Sequence, residues 1–227
     1  MTTVIFDIDG TLTDTVAVDG RCYAKVIQEM YGLAIADNEW GNFTHVTDAG
    51  IAAELVAAHF GRSIRPDEVS RLVRRFTTLL QRELERDRTQ FREVAGAVAF
   101  VRTVSARADV CTGLATGGWE ESARLKLAAV GLDAGRYRLS TASQHLSREA
   151  ILSDVIDQCG VGADVPNERI FYFGDGSWDY RACRRLGINF IGVDAHRTNA
   201  LAKAGAAITI HDFTDAARVM NCLGLDN

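Results

Sequence analysis

The stretch Thr3-Val4-Ile5-Phe6-Asp7-Ile8-Asp9-Gly10-Thr11 decides how this chain is to be read. Its first four residues are apolar or β-branched, which predicts a short buried strand. The strand runs into two aspartates and a glycine. In an open parallel sheet, ligands bind beyond the carboxyl ends of the strands, so Asp7 and Asp9 stand where chemistry is expected. Two residues apart on a strand, they would share a face with Cα atoms about 7 Å apart. Carboxylates so spaced can address opposite sides of one phosphorus atom. One can attack it while the other protonates the leaving oxygen and then activates water. Taken alone, Asp-x-Asp-Gly also describes a strand end followed by a turn. The rest of the chain decides between these readings.

Beyond the opening strand, from about Asp19 to Arg92, the pattern is helical. Val69, Leu72, Val73, Phe76, Leu79, Leu80 and Leu84 recur at spacings of three and four. Pro66, Asp67 and Glu68 suit the first turn of that helix. Another helix is predicted from Thr47-Asp48 through Ile51, Leu55 and Val56, and no strand is expected in this block. Strand and helix then alternate, with strands at Val110–Ala115, Tyr137–Ser140, Arg169–Phe173, Asn189–Val193 and Ala207–Ile210. The helices between them are placed at Gly96–Ala106, Glu120–Ala129, Arg148–Cys159, Trp178–Leu186 and Asn199–Ala204. Unalternating apolar strands indicate a parallel sheet covered on both faces. The expected fold class is therefore α/β, a doubly wound parallel sheet with an all-helical insert. The boundaries fall at residues 1–14 and 93–227 for a discontinuous core and 15–92 for the insert.

The carboxyl ends of these strands deliver Asp7 and Asp9, then Thr116-Gly117-Gly118, then Asp175 with Asp179 four residues on. No His, and no Ser-His or Cys-His pair, is among them. Crowded carboxylates repel one another and raise their own pKa values. A hard divalent cation relieves that, and Mg²⁺ takes a few carboxylates together with a phosphate oxygen. The constellation predicts a magnesium–phosphate site.

Val4 to Thr15, reading VIFDIDGTLTDT, resembles the first signature of the haloacid dehalogenase-like (HAD) hydrolase superfamily. Leu114-Ala115-Thr116-Gly117-Gly118 is similar to the second, and Gly174-Asp175-Gly176-Ser177-Trp178-Asp179 to the fourth, GDxxxD. The third is a lone Lys or Arg, for which Arg148 is the best-placed candidate. The resemblance implies a Rossmann-like core with a helical cap, of the phosphoglycolate phosphatase-like subclass. It implies Asp7 as the nucleophile that forms an aspartyl-phosphate and Asp9 as the general acid and base. Thr116 and the Gly117 amide would bind phosphate oxygens, with Arg148 beside them. Mg²⁺ would be held by Asp7, the Asp9 backbone carbonyl, Asp175 and Asp179. The implied activity is that of a phosphatase hydrolysing a small phosphomonoester. The dehalogenase branch lacks an acid where Asp9 stands, and the phosphonatase branch resembles it with Ala there. A phosphosugar mutase is the alternative enzyme, although that branch typically carries His on the first cap helix, where this chain has Asp19. A non-catalytic phosphate-binding regulator is the remaining alternative.

Several positions carry two readings. The family usually has Lys, soon followed by Pro, where this chain has Arg148. Arg can hold a phosphate oxygen bidentately, or it can be a solvated arginine in a helix first turn capped by Ser147. Arg124 and Lys126 are expected on a solvated helix face. Thr44-His45-Val46-Thr47-Asp48 resembles a Thr-Asp segment of the phosphoglycolate phosphatase-like members, yet Thr47 or Asp48 also suits a helix cap. Trp119 and Trp178 can wall a pocket or pack. Residues 61–92 hold nine Arg against five acids, an anion-attracting patch or a solvated amphipathic face.

Composition sets the frame. The 227 residues are 47% hydrophobic and 24% charged, ample for a core and close to the globular average. A net charge of −5 argues against nucleic acid or an acidic membrane as partner. Residues 15–92 hold 11 basic and 11 acidic side chains and the remainder 14 and 19, so the acidity belongs to the core. The five cysteines show no CxxC spacing, so neither structural zinc nor a disulfide framework is expected. With no apolar run long enough to span a bilayer, the expected setting is the cytoplasm. The expected partner is a small phosphorylated metabolite; the sequence leaves the oligomeric state open.

Overall fold

The computed structural model describes residues 1–36, 40–160 and 167–225. The strands are β1 (Thr2–Phe6), β2 (Thr13–Asp14), β3 (Arg92–Glu93), β4 (Val110–Ala115), β5 (Arg138–Ser140), β6 (Ile170–Gly174), β7 (Asn189–Val193) and β8 (Thr209–Ile210). The helices are α1 (Val16–Tyr31), α2 (Asp48–Phe60), α3 (Pro66–Arg86), α4 (Ala97–Ser105), α5 (Glu120–Ala129), α6 (Arg148–Gln158), α7 (Ser177–Leu186), α8 (Ala200–Lys203) and α9 (Ala216–Cys222).

Six strands form one parallel sheet in the order β5-β4-β1-β6-β7-β8, with β1 near its centre. Val4 pairs with Thr112 on one side and Phe171 on the other. Alternation along β1 supplies both faces. Val4 and Phe6 join a core with Phe100, Val101, Leu127, Phe213 and Val219, whereas Ile5 packs with Ile151, Leu152, Val155 and Ala182. The strand is buried throughout because α4, α5 and α9 cover one face and α6 and α7 the other. The sheet is thus a doubly wound α/β core. Helix α9 has no counterpart in the sequence reading. Only seven residues long, it is held by Val219 and Met220 in the core rather than announced by periodicity.

Between β2 and β3 the chain leaves the sheet and builds α1, α2 and α3. These pack on each other around Tyr23, Ile27, Ile51, Leu55, Leu72, Phe76 and Leu80. The fully buried side chains of α3 fall at spacings of four, Leu72, Phe76 and Leu80, which is the stripe expected of an amphipathic helix. Its first turn holds Pro66, and Glu68 accepts from the Arg65 amide at 3.0 Å. Strands β2 and β3 pair antiparallel, Thr13 with Glu93 and Asp14 with Arg92, so the two chain crossings into the helical cap lie side by side. Trp119, from the core, stacks on Tyr23 at 5.6 Å and meets Phe76 edge-on at 5.8 Å.

Cys111 and Cys159 form a disulfide, with Cα atoms 5.9 Å apart. Nothing in the cysteine spacing signals it, because the pair is 48 residues apart and meets only where α6 packs on β4. Among the described residues no helix is long and apolar enough to cross a membrane.

Candidate active site

Beyond the carboxyl ends of β1, β4 and β6 lies a cavity of about 180 Å³, roofed by the cap helices. The backbone makes the first wall. The Asp7 amide still bonds Phe173 O at 2.9 Å, and Ile8 O then accepts the amides of Leu12 and Thr13, each at 2.9 Å. The strand therefore ends at Phe6, one residue before Asp7, and Asp9 reaches the cleft from a turn rather than from the strand face. That turn needs Gly10, whose φ is +76° and whose missing Cβ would collide with the Asp175 carboxylate. Gly117 is required for closeness instead. A Cβ there would come within 2.6 Å of Arg148 Nη2 and 2.9 Å of Val46 O.

Asp7, Asp9, Thr116, Gly117, Arg148 and Asp175 all line the cavity. Asp179 sits behind them, fully buried, with Oδ2 accepting the Gly176 amide at 3.0 Å and Oδ1 the Tyr172 hydroxyl at 3.2 Å. Oxygens of Asp7, Asp175 and Asp179 lie within 4.8 Å of one another. Arg148, on the first turn of α6 behind its Ser147 cap, is buried and not solvated. Its Nη1 donates to Asp7 Oδ1 at 3.2 Å, and its Nε lies 3.1 Å from Asp179 Oδ1 without hydrogen-bond alignment.

Burial raises the Asp7 carboxyl to about 8, against the pull of Arg148 and with a further push from Asp179 and Asp9. Burial, then Asp7 and Asp179, drive Asp175 well above the carboxylate range, and burial raises Asp179 despite Arg148. Three mutually repelling oxygen donors that resist ionising together are what a hard divalent cation stabilises. On donor type and spacing, the residues present fit Mg²⁺.

Lys126 corrects the sequence reading. It is fully buried, donating at 2.5 Å to Asp9 Oδ2 and at 2.6 Å to Asp19 Oδ1 on α1. The other oxygen of Asp9 accepts the Thr15 hydroxyl at 2.5 Å. Burial alone would lower the Lys126 ammonium, but Asp19 and Asp9 more than offset it and raise it. Burial pushes Asp19 up to about 6, restrained by Lys126. The signal was present in α5. Ala123, Lys126 and Leu127 share one helical face, and its other two members are core residues. Arg124, by contrast, is exposed and pairs with Glu120.

The cap contributes the remaining walls. Thr47 caps α2 by accepting the Gly50 amide at 3.0 Å and also lines the cavity, so its two readings coexist. Asp48 is buried, accepts the Trp119 amide at 2.9 Å and donates its own amide to Gly117 O at 2.7 Å. Tyr23, Trp40 and Trp178 line the cavity, whereas Trp119 packs behind it and His45 is not part of the lining.

A parallel sheet whose strand ends gather acids, one buried arginine and a threonine-glycine loop under a helical cap defines a HAD-like enzyme fold. The model of the haloacid dehalogenase-like hydrolases matches residues 1–187, and the chain belongs to that hydrolase family. Among curated proteins no sequence match is found. Among solved structures it is similar to a hydrolase from Pseudomonas syringae, with TM-score 0.76 at 21% identity over 98% of this chain and 99% of that one. CbbY from Rhodobacter sphaeroides, solved with phosphate, gives 0.71 at 17% identity over 95% and 96%. A predicted phosphoglycolate phosphatase from Haemophilus somnus 129pt gives 0.65 at 14% over 97% and 98%.

Proposed function

We propose that the protein is a Mg²⁺-dependent phosphatase that hydrolyses a small phosphomonoester through an aspartyl-phosphate on Asp7. The observation that carries this reading is the convergence of Asp7, Asp9, Asp175 and Arg148 on one cavity, with Asp179 directly behind. Residues 1–14 and 93–227 act as the catalytic core and 15–92 as its cap.

Asp7, the Asp9 carbonyl, Asp175 and Asp179 would hold the metal, which when bound supplies positive charge to a phosphate dianion approached by an anion. Arg148 and the Thr116 hydroxyl orient the phosphate oxygens, with the Gly117 amide beside them. A carboxylate oxygen of Asp7 attacks phosphorus and the ester P–O bond breaks. Asp9, as the acid, gives its proton to the departing oxygen, which leaves as the alcohol. Asp9 then removes a proton from water, which attacks the same phosphorus, breaks the P–O bond to Asp7 and frees inorganic phosphate. Lys126 and Thr15 fix the Asp9 carboxylate in place between these two proton transfers. The cap excludes bulk water while the acyl phosphate exists.

Turnover of p-nitrophenyl phosphate tests the reading. It is expected to need Mg²⁺ and to vanish in Asp7→Asn; turnover indifferent to both rejects it. A phosphosugar mutase would instead isomerise a sugar phosphate and need a bisphosphate primer. Asp19, already engaged with Lys126, offers no histidine for that chemistry.

A further inference from the structure

The charges of the cavity are unevenly distributed. Its core end holds Arg148 and the acids suited to a cation, and there a phosphate dianion is neutralised. On its cap side the lining comprises Val16, Tyr23, Trp40, Val46 and Ile51 together with Asp19 and Asp48. Among the described residues lining the cavity, Arg148 is the only cationic side chain, and positions 37–39, 161–166 and 226–227 hold no Lys, Arg or His. The nine arginines of residues 61–92 stand elsewhere, none of them on the lining. Lys126 does not reverse this balance. It is shared between Asp9 and Asp19, two carboxylates to one ammonium, and is itself sealed from the cavity.

The hydrogen-bonding character points the same way. The Thr47 hydroxyl is spent on Leu146 O at 2.7 Å and the Tyr23 hydroxyl on Asp48 O at 2.6 Å. What the cap's ionisable groups still offer is the second oxygen of Asp19, an acceptor, and the second oxygen of Asp48, whose carboxyl burial holds well above the ordinary carboxylate range. A carboxylate or second phosphate placed there would meet the two carboxylates that share Lys126 and would find no cation on the cap side of the lining to pair with. A hydroxyl or ammonium would find acceptors, and a carbon skeleton would find aromatic and aliphatic walls.

Building on the phosphatase reading, we infer that the substrate is a phosphomonoester whose leaving group carries hydrogen-bond donors on a short apolar skeleton and no second acidic group. At about 180 Å³ the cavity is below the roughly 300–1,000 Å³ of drug-sized sites, which suits a leaving group of a few carbons. Compounds of the phosphoglycolate type and sugar bisphosphates are excluded on charge.

The test is a matched two-carbon series: 2-hydroxyethyl phosphate, phosphoethanolamine and 2-phosphoglycolate, with Mg²⁺ and the full chain. The kcat/KM of at least one donor-bearing member should exceed that of 2-phosphoglycolate by about tenfold or more, and which one leads tells hydroxyl from ammonium recognition. Equal or better turnover of 2-phosphoglycolate overturns the inference. Val16 is an exposed cavity residue, so Val16→Lys should fold and move the ratio toward 2-phosphoglycolate by several-fold; an unmoved ratio counts against the inference. Should the series be poor substrates, the same order is read from competitive inhibition of p-nitrophenyl phosphate turnover. If p-nitrophenyl phosphate itself is not hydrolysed, the phosphatase reading fails separately, and the order of binding heats with Mg²⁺ present still decides selectivity.

Discussion

The core wall of the cleft and the cap wall use the same residue type, aspartate, in opposite ways. On the core wall Asp7, Asp175 and Asp179 crowd within 4.8 Å, with Arg148 as their one cationic partner among the described residues. On the cap wall Asp19 stands across a shared lysine from Asp9, and Asp48 is stitched to the backbone of Trp119. The first group holds acids together in excess of their counter-charge, which makes a receptor for a further cation. The second has its acids tethered, so they shape the cavity and its polarity. A carboxylate's role is thus set by whether its repulsion is left unrelieved.

The hardest way to break this contrast is at the core wall. Asp7→Asn keeps the shape and removes the nucleophile, and kcat on p-nitrophenyl phosphate should fall by about 10³-fold or more. Chelation of divalent metal should do the same, with activity restored by Mg²⁺. A chelator-resistant enzyme would mean that the acid cluster is structural. Next in size is Arg148→Ala, expected to cost about 10²–10³ in kcat, the scale of losing one donor aimed at transition-state charge. Arg148→Lys should regain part of it, because Lys supplies the charge without the forked geometry.

Lys126→Met tests the cap side of the comparison and should be milder, about 10–100-fold in kcat with little change in KM, within the scale of acid–base assistance. Asp9 is still present in this variant but no longer aimed. A pre-steady-state burst of p-nitrophenolate should survive, because that leaving group departs with little need for a proton, while the second step slows. Loss of the burst in proportion to kcat would instead indicate a smaller folded fraction. Fluorescence or circular dichroism melts check the fold, since a broken buried ion pair costs about 3–5 kcal/mol.

The two walls also differ in how far the sequence exposes them. Asp7, Asp9, Thr116, Gly117, Arg148 and Asp175 are legible because each follows a strand or opens a helix, and topology carries strand ends to one edge. The parallel sheet is legible as well, since β1, β4 and β7 carry apolar residues toward both faces rather than in strict alternation with polar ones. Lys126 belongs to α5, and its role depends on Asp19, 107 residues away across the cap boundary. Local pattern shows that such a lysine lies on a buried face, yet its partners come from tertiary packing. The disulfide of Cys111 and Cys159 is hidden on the same grounds, as is α9, whose seven residues are too few to display a period.

The smallest expected effect concerns stability and separates the walls without any substrate. Asp7, raised to about 8, and Asp175, raised well above its ordinary value, keep protons in the metal-free folded chain that the unfolded chain releases near pH 4. A raised folded-state pKa means that stability is full at low pH and is lost as pH climbs through the folded value. Melting of the metal-free protein should therefore drop between about pH 5 and pH 8, by about 2–4 °C for each kcal/mol in a chain of this size. Mg²⁺ favours the ionised carboxylates, so its stabilising shift should be larger at pH 8 than at pH 5. Asp7→Asn should flatten both slopes. Asp19, raised to about 6, gives the cap wall its own shallower loss between about pH 4 and 6, and Asp19→Asn should remove that part while leaving the Mg²⁺ response intact. A Mg²⁺ shift that vanished in Asp19→Asn would tie the two walls into one electrostatic unit and end the distinction between them.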